Sequence, residues 1–441
     1  MPEDVSELDE TFRKVARDRA GHTAMVYLGE RYRFRDLEDL VDRLTRGLER
    51  LGVEAGERVL LYMPHCPQWV VTWLALRRRG VVAVPVSPQY GPRDVAYVAQ
   101  DAGASVLFCA DTLFGYAARV QQEVDLRCVV VTGIGDLLPW WKRAVGKALD
   151  RLPTGRVRLA GSVFTFQEIL AGPTRSRRPG RPSEGVEGPE GLCELLYTGG
   201  TLGAVPLGSD TVIQGAPLYH ILGQAQGLGA LLAGETLVLL PRMNWDAFLD
   251  HIQRYRVTTL FGTPTLYRTI LEHPRLDAYD LRSLRYCFSA GDALPPELAR
   301  RWKTRFGLEI HQGYGATEAC GAISMTPAGP PFPEGTVGQV VRGREVRIVD
   351  PETLRPCSPG EPGELLVSGP NLPTAYWNRP EETQRAFSCT KDACGTEPGT
   401  SCAGMRTGGS TPWTGPQTSS RSRATGWHLP GWSPCSRSTL R

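Results

Sequence analysis

Tyr314, Thr317 and Glu318 fall within one short run, GYGATEACG, from Gly313 to Gly321. Their types suit a nucleotide site. Tyr314 offers a flat face to a purine, Thr317 a hydroxyl to a phosphate oxygen, and Glu318 a carboxylate to a hard cation such as magnesium. Gly313 and Gly315 flank Tyr314 and predict a sharp turn with close ligand approach. Taken alone, the run reads equally well as a Gly-rich turn between a strand and a helix.

A second run, ELLYTGGTLGAVPLG, spans Glu194 to Gly208. Its apolar stretch Leu195 to Tyr197 predicts a strand that opens into a loop containing Thr198, Gly199, Gly200, Thr201 and Gly203. Successive backbone N–H groups and hydroxyls in such a loop form a nest for phosphate oxygens. Between the two runs lie PLYHILGQ, Pro217 to Gln224, and CFSAGDALPPEL, Cys287 to Leu298. His220, in the first of these, reads equally as a satisfied core histidine and as a site residue.

The ordered set YTGGT, APLYHILGQ, TPTLYRTIL, SAGDALPPEL, GYGATE, GELLVSGP and YWNRPEET, carried by residues 8 to 390, resembles the adenylate-forming superfamily. Within it the chain is most similar to the AMP-dependent acyl-CoA synthetases of the fatty-acid–CoA ligase kind. The resemblance implies an α/β fold: a large N-terminal domain with doubly wound sheets in two sub-lobes and a small β-subdomain. It also implies ATP, Mg2+ and CoA, with a small carboxylic acid as substrate. A carboxylate attacks the α-phosphorus of ATP, giving acyl-adenylate and pyrophosphate; CoA thiolate then attacks the adenylate. The first step brings two anions together, so it needs charge neutralisation and orientation more than acid–base chemistry.

Residue by residue, the loop Thr198, Gly199, Gly200, Thr201 and Gly203 resembles the one that holds the β- and γ-phosphates. Gly291, Asp292 and Ala293 match the turn lining the adenine pocket, where Tyr314 stacks on the base, and Gln312, Gly313 and Gly315 belong to the same nucleotide-binding run. Thr317 matches the α-phosphate contact and Glu318 the magnesium ligand, so these two carry the catalytic expectation. His220 and Gly315 stand on the acyl side.

Two departures accompany the match. The family's phosphate loop ends in a Pro-Lys-Gly step, with tens of residues before the PLYH motif. Here AVPLGSDTVIQGAPLYH follows directly, and no lysine occurs from Thr198 to His220. An internal deletion near 207–210 is the expectation. The second departure begins after Phe387, where apolar periodicity ends and Ser, Thr, Gly, Pro, Arg and Cys dominate. Composition alone reads 391–441 as a disordered tail. In a frame shifted by one base, however, codons overlapping Gly395 to Thr400 can read WYRTGD, a signature of this family at this place whose aspartate binds ribose hydroxyls. The same frame permits VVRRDADGWL and VDRTADV. A frameshift near Lys391 to Ala393 is expected, with the small C-terminal domain missing from the printed frame. These departures predict impaired ligase activity; the alternative function is a catalytically inactive remnant that binds nucleotide or acyl groups. An adenylation domain that loads a carrier protein is a weaker third reading.

The elements that must position these residues are legible as strand–helix alternation. Leu37, Leu40, Val41, Leu44, Leu48 and Leu51 recur at helical spacing, with Gly52 as a C-cap. RVLLYM, VVAVPV, SVLFC and CVVVTG read as buried strands, and their alternation with helices predicts a parallel sheet covered on both faces. Arg77 to Arg79 reads as a solvated helix end, where cations favour the macrodipole. LPWWKRAVGKALDRL, residues 138 to 152, is amphipathic. Its Trp pair beside basic residues suits a peripheral membrane contact, although a surface helix with the pair packed inward is the stronger expectation. Leu284 to Phe288 reads as a strand, PPELARRWKTRF as a helix, and residues 335 to 370 as a small β-subdomain.

With 441 residues and 41% hydrophobic composition, the chain can bury a large core in two or more domains. A formal net charge of +3 gives no signal for nucleic acid. The eleven cysteines form no CxxC and no zinc-spaced Cys/His pairs, so reduced thiols and a cytoplasmic location are expected. The acidic, polar N-terminus resembles neither a signal nor a transit peptide.

Overall fold

The computed structural model describes residues 3–149, 152–159, 161–172, 194, 210–327, 332–358, 360–369, 372–373 and 375–387. The phosphate-loop residues Thr198, Gly199, Gly200, Thr201 and Gly203, residues 207–209 of the expected deletion and the stretch after Phe387 lie outside them. The chain divides into two compact units. The first comprises Met1–Gly199, Gly203–Phe261 and Pro274–Arg285; the second comprises Gly200–Leu202, Gly262–His273 and Tyr286–Arg441.

The first unit contains an all-parallel sheet with the strands in the order Val82–Pro85, Arg58–Tyr62, Val106–Ala110, Cys128–Thr132 and Val163–Thr165. The first four are the strands expected from sequence, within one or two residues at each end. All of their residues are buried. Continuous Val/Leu-rich runs, rather than alternation, are what a sheet covered on both faces requires. Apart from Gly262, the same unit holds strands in the order Thr259–Gly262, Thr211–Ile213, Thr236–Leu239, Thr23–Tyr27 and Glu30–Arg33. The last pair is an antiparallel hairpin; the other neighbours in this series run parallel.

The helix Phe34–Arg50 buries Leu37, Val41, Leu44 and Leu48, one face at three- and four-residue spacing. At its start the Arg33 N–H donates to Asp36 Oδ2 at 2.9 Å. It ends where Gly52 takes φ +66°, as the apolar spacing predicts. Trp69, Val70, Leu74 and Phe166 share its core with strand residues Leu61, Val106 and Phe108.

Two expectations for this unit fail. Arg77 to Arg79 is not a solvated helix end. The helix Pro67–Arg78 is buried along nearly its whole length, and the Arg78 side chain is only 4% exposed. Arg78 donates to Asp9 Oδ1 at 2.7 Å, to Asp42 Oδ1 at 2.6 Å and to Glu38. A buried guanidinium requires such partners, and its five-donor fork can serve several carboxylates at once. Nor do the two tryptophans pack inward. On the helix Trp140–Ala148, Trp140 is 76% and Trp141 52% exposed. The inner side is formed instead by Gly146, which faces Leu152, and by Lys142, which reaches the hairpin turn.

The second unit pairs Tyr286–Ser289 in parallel with Ile310–Ala316. Antiparallel Gly321–Met325 and Gln339–Val340 follow in order. A separate hairpin, Glu345–Val349 with Glu364–Ser368, occupies the stretch expected to be a β-subdomain. Its Leu365 and Val367 pack with Ala316, Ala319 and Ile323 in a small core. Helix Pro296–Phe306 starts with proline in its first turn and stops at Gly307, φ +70°, matching its expected extent. No helix among the described residues is long and apolar enough to cross a membrane.

Candidate functional site

In the second unit, the Gly-rich run is not a turn between a strand and a helix. Ile310–Ala316 is a continuous strand, Thr317–Ala319 one 3-10 turn, and Gly321–Met325 the returning antiparallel strand. The chain reverses at Cys320, φ +48°, and Gly321, φ +120°. Gly313 and Gly315 lie within the strand, so they do not supply the predicted sharp turn. Gly315 is needed for another reason: a Cβ there would stand 2.1 Å from the Gly321 carbonyl oxygen. A register shift between Tyr314 and Gly315 bends the ladder at the same point, as bulges do beside sites.

This hairpin presents Thr317 and Glu318 at its tip. Thr317 Oγ1 is buried and has no hydrogen-bond partner among the described residues. Such a group costs stability unless something completes it. Glu318 is half-buried, and its Oε1 accepts a 2.9 Å hydrogen bond from the Tyr376 hydroxyl. Burial, reinforced by the carboxylate, pushes the Tyr376 hydroxyl up to about 12, so it remains a donor throughout the neutral range. The Ala319 carbonyl accepts 2.7 Å from Arg344 Nη2, which fixes the tip from behind. Tyr314 is half-buried against the small core.

The turn Gly291–Ala293 belongs to the same unit. Gly291 takes φ +82°, and Asp292 Oδ1 accepts from Ala293 N–H at 2.8 Å. Gln312 connects this turn to the hairpin strand, since its Oε1 accepts from Leu294 N–H at 3.2 Å and it lies in register with Ser289. Gly291, Asp292, Ala293, Gln312, Gly313, Tyr314, Gly315, Thr317 and Glu318 therefore share one unit, with the turn pinned to the strand that carries the hairpin.

His220 belongs to the first unit. It is the N-cap of helix Ile221–Leu232, where its Nδ1 accepts from Leu222 N–H at 3.3 Å. The cap gives His220 a structural role, although it is half-buried rather than in the core. The turn before it is held by His65, whose Nδ1 accepts from Leu218 N–H at 3.2 Å; burial pushes the His65 imidazole down to about 4. On the same helix, Gln224 donates at 2.7 Å to Glu194 Oε1. Burial pushes the Glu194 carboxyl up to about 7, while the Arg77 guanidinium and the Gln224 bond pull it back.

Tyr376, His65 and Glu194 were missed by sequence reasoning. Tyr376 lies inside YWNRPEET but 58 residues beyond Glu318, and nothing local signals that pairing. A charged residue bordering the apolar run Leu195 to Tyr197 was the available sign for Glu194.

No group of three or more His, Cys, Asp or Glu side chains able to hold a metal ion occurs among the described residues. Magnesium fits this arrangement as an ion that uses one carboxylate and completes its shell with substrate phosphates and water. The uncompensated Thr317 hydroxyl beside Glu318 fits the phosphate.

A profile of the family described as AMP-binding enzyme matches residues 12–205 and 202–377. The chain is 26% identical to a long-chain-fatty-acid–CoA ligase of Bacillus subtilis, an alignment covering 87% of this chain and 73% of that protein. It is 31% identical to a feruloyl-CoA synthase of an Amycolatopsis species, covering 83% and 69% respectively. Among solved structures, a benzoate CoA ligase from Burkholderia xenovorans is similar with a TM-score of 0.71 at 25% identity, over 87% of this chain and 75% of that one. An anthranilate CoA ligase in complex with anthranoyl-AMP gives a TM-score of 0.74 at 22% identity, over 92% and 75%.

Proposed function

We infer, from the premise that this chain belongs to the AMP-binding enzyme family, that its hairpin Ile310–Met325 is a nucleotide site and that the chain is an acid–CoA ligase by descent with weakened adenylation. The observation that carries the assignment is the buried, unpartnered Thr317 Oγ1 adjoining Glu318. A hydroxyl so placed donates to a phosphate oxygen when ATP binds. Magnesium, when bound, supplies charge neutralisation on the triphosphate, and Glu318 is the residue that would hold it.

Each residue's task follows from its surroundings. Tyr314 provides the flat face for adenine. Gly291, Asp292 and Ala293, pinned through Gln312, line the base. Gly315 lets the two hairpin strands approach closely enough to set Thr317 at the tip. Tyr376 holds the Glu318 carboxylate in orientation through the 2.9 Å bond, and at neutral pH keeps its own proton. The loop Thr198 to Gly203, outside the described residues, is assigned to the β- and γ-phosphates by its sequence. The acid substrate is fatty or aromatic, the classes named for the relatives. His220, a helix cap, and Gly315 are each assigned to the acyl side by the resemblance alone. CoA is the acceptor.

Weakened adenylation follows from the absence of any lysine between Thr198 and His220. Without that cation the triphosphate charge is less fully offset, and the approach of a second anion is correspondingly harder. An internal deletion near 207–210 is supported by the two-part family match, whose pieces overlap at residues 202–205. A shifted frame after Lys391 would likewise remove the ribose-binding aspartate, since Thr400 stands in its place. A second reading, a nucleotide- or acyl-binding protein without catalysis, is favoured by the same missing lysine. Titration calorimetry with ATP, with and without magnesium, tests the site itself. Saturable magnesium-enhanced binding lost in Glu318→Gln is expected; equal binding by both proteins would overturn the assignment.

A further inference from the structure

The helix Trp140–Ala148 is built inside out. Its exposed positions, continued into the following turn, are Trp140, Trp141, Ala144, Val145, Ala148 and Leu149. Among the side chains described, every exposed one is apolar, and their spacing covers one continuous half of a 3.6-residue helix. The sheltered side carries Lys142, Arg143 and Gly146. An ordinary surface helix has the reverse arrangement.

The inversion is held in place. Lys142 Nζ donates to the Gly29 carbonyl at 3.0 Å and pairs with Glu30 Oε2 at 2.8 Å. The Tyr32 hydroxyl donates to the Leu137 carbonyl at 3.1 Å just ahead of the helix. Behind the helix, Leu152 is buried and fills the notch at Gly146, where a Cβ would stand 2.7 Å from its Cγ and Cδ1. The apolar face therefore cannot simply roll inward without breaking these ties.

Charge identifies what it faces. In sequence, residues 138–159 contain Lys142, Arg143, Lys147, Arg151, Arg156 and Arg158 against the single acid Asp150, an excess greater than the +3 of the whole chain. Arg156 and Arg158 are exposed, and the exposed Leu159 follows them. Among the described residues, five of the ten large apolar side chains that stand exposed fall between Trp140 and Leu159. Paired tryptophans belong at the level of lipid headgroups, and a one-signed cationic flank is attracted to an anionic leaflet.

We propose that the segment Trp140–Leu159 is a membrane-docking element that lies in the interface of an anionic bilayer, inserting Trp140, Trp141, Val145 and Leu149 while Arg156 and Arg158 meet lipid phosphates. The surface belongs wholly to the first unit and does not depend on the ligase assignment. A soluble-phase catalyst of water-borne acids needs no such face, whereas one that collects apolar acids gains from lying where they partition.

Co-sedimentation of the full chain with vesicles tests this without any substrate. On phosphatidylcholine vesicles containing phosphatidylglycerol, the wild-type chain should sediment, and less so on pure phosphatidylcholine or at high salt. Trp140→Ala/Trp141→Ala should weaken binding to the anionic vesicles about tenfold or more. Arg156→Glu/Arg158→Glu should remove the preference for anionic lipid and serves as the second variant should the first fold poorly. Absence of wild-type binding to anionic vesicles, or equal binding by a folded Trp140→Ala/Trp141→Ala variant, overturns the proposal. So does a lipid-independent dimer that this variant abolishes, since the face would then be covered by a second copy.

Discussion

The Tyr376 hydroxyl donates a 2.9 Å hydrogen bond to Glu318 Oε1, joining two residues far apart in sequence. Glu318 is the one carboxylate at the tip of the hairpin proposed to hold the nucleotide, so under that proposal its orientation sets where a cation can sit. Tyr376→Phe should leave the fold intact and weaken magnesium-dependent ATP binding by about three- to tenfold, the worth of one charge-assisted hydrogen bond. Calorimetry at matched magnesium concentrations measures this. Unchanged affinity would make the contact incidental.

Thr317→Val should separate stability from binding. The hydroxyl has no partner among the described residues, so exchanging it for a methyl group removes a buried unsatisfied group and should leave stability equal or raise it by up to about 1 kcal/mol. ATP affinity should fall about tenfold, because the phosphate loses a donor. Urea unfolding and calorimetry on the same protein decide the matter, and a destabilised variant would mean the hydroxyl has a structural partner.

Gly315→Ala tests the close approach of the hairpin strands. The new methyl group would stand 2.1 Å from the Gly321 carbonyl oxygen, a backbone atom that cannot step aside cheaply. A loss of about 2–4 kcal/mol in unfolding free energy is expected, together with loss of ATP binding. A variant as stable as wild type would show that the two strands do not meet this closely.

Glu194 and His65 should give stability opposite slopes with pH. Burial raises the Glu194 carboxyl to about 7. The folded state therefore holds a proton that the unfolded chain releases near the ordinary Glu value of about 4.3. Its contribution is complete below that value and is lost as pH rises toward 7. Burial lowers His65 to about 4, so its contribution is present above the ordinary His value of about 6.5 and is lost as pH falls toward 4. Glu194→Gln should abolish the first slope alone, so that melting temperature climbs more steeply between pH 5 and 7, a window set by these two shifts, than in wild type. Parallel curves for the two proteins would show that Glu194 does not titrate in this range.

Strand–helix alternation in the first unit was legible because Val- and Leu-rich runs such as Val82–Pro85 and Cys128–Thr132 leave no other way to satisfy both faces of a parallel sheet. The helix Phe34–Arg50 was legible from its spacing and from Gly52. The family was recognisable from the order of its motifs, but the geometry of the proposed nucleotide residues was not. Glycine content suggested a turn at Gly313 and Gly315, whereas the reversal occurs at Cys320 and Gly321, and Gly315 serves strand proximity. Arg78 was misread because its partners Asp9, Glu38 and Asp42 come from distant segments. The tryptophan pair was misread because an apolar face normally turns to the core; here Leu152 and the Lys142 tie already fill the inner side. Tyr376 is a long-range contact, and local pattern carries no record of such contacts.

The most direct test of a ligase by descent with weakened adenylation is product formation by the purified chain. Oleate or ferulate, ATP, magnesium and CoA would be incubated with wild-type protein and with Glu318→Ala, and acyl-CoA measured by mass spectrometry. Acyl-CoA no higher than in the Glu318→Ala control, alongside saturable ATP binding by the wild-type chain, is the predicted result. Acyl-CoA clearly above that control would contradict the impairment and show that the chain adenylates and transfers without a lysine between Thr198 and His220.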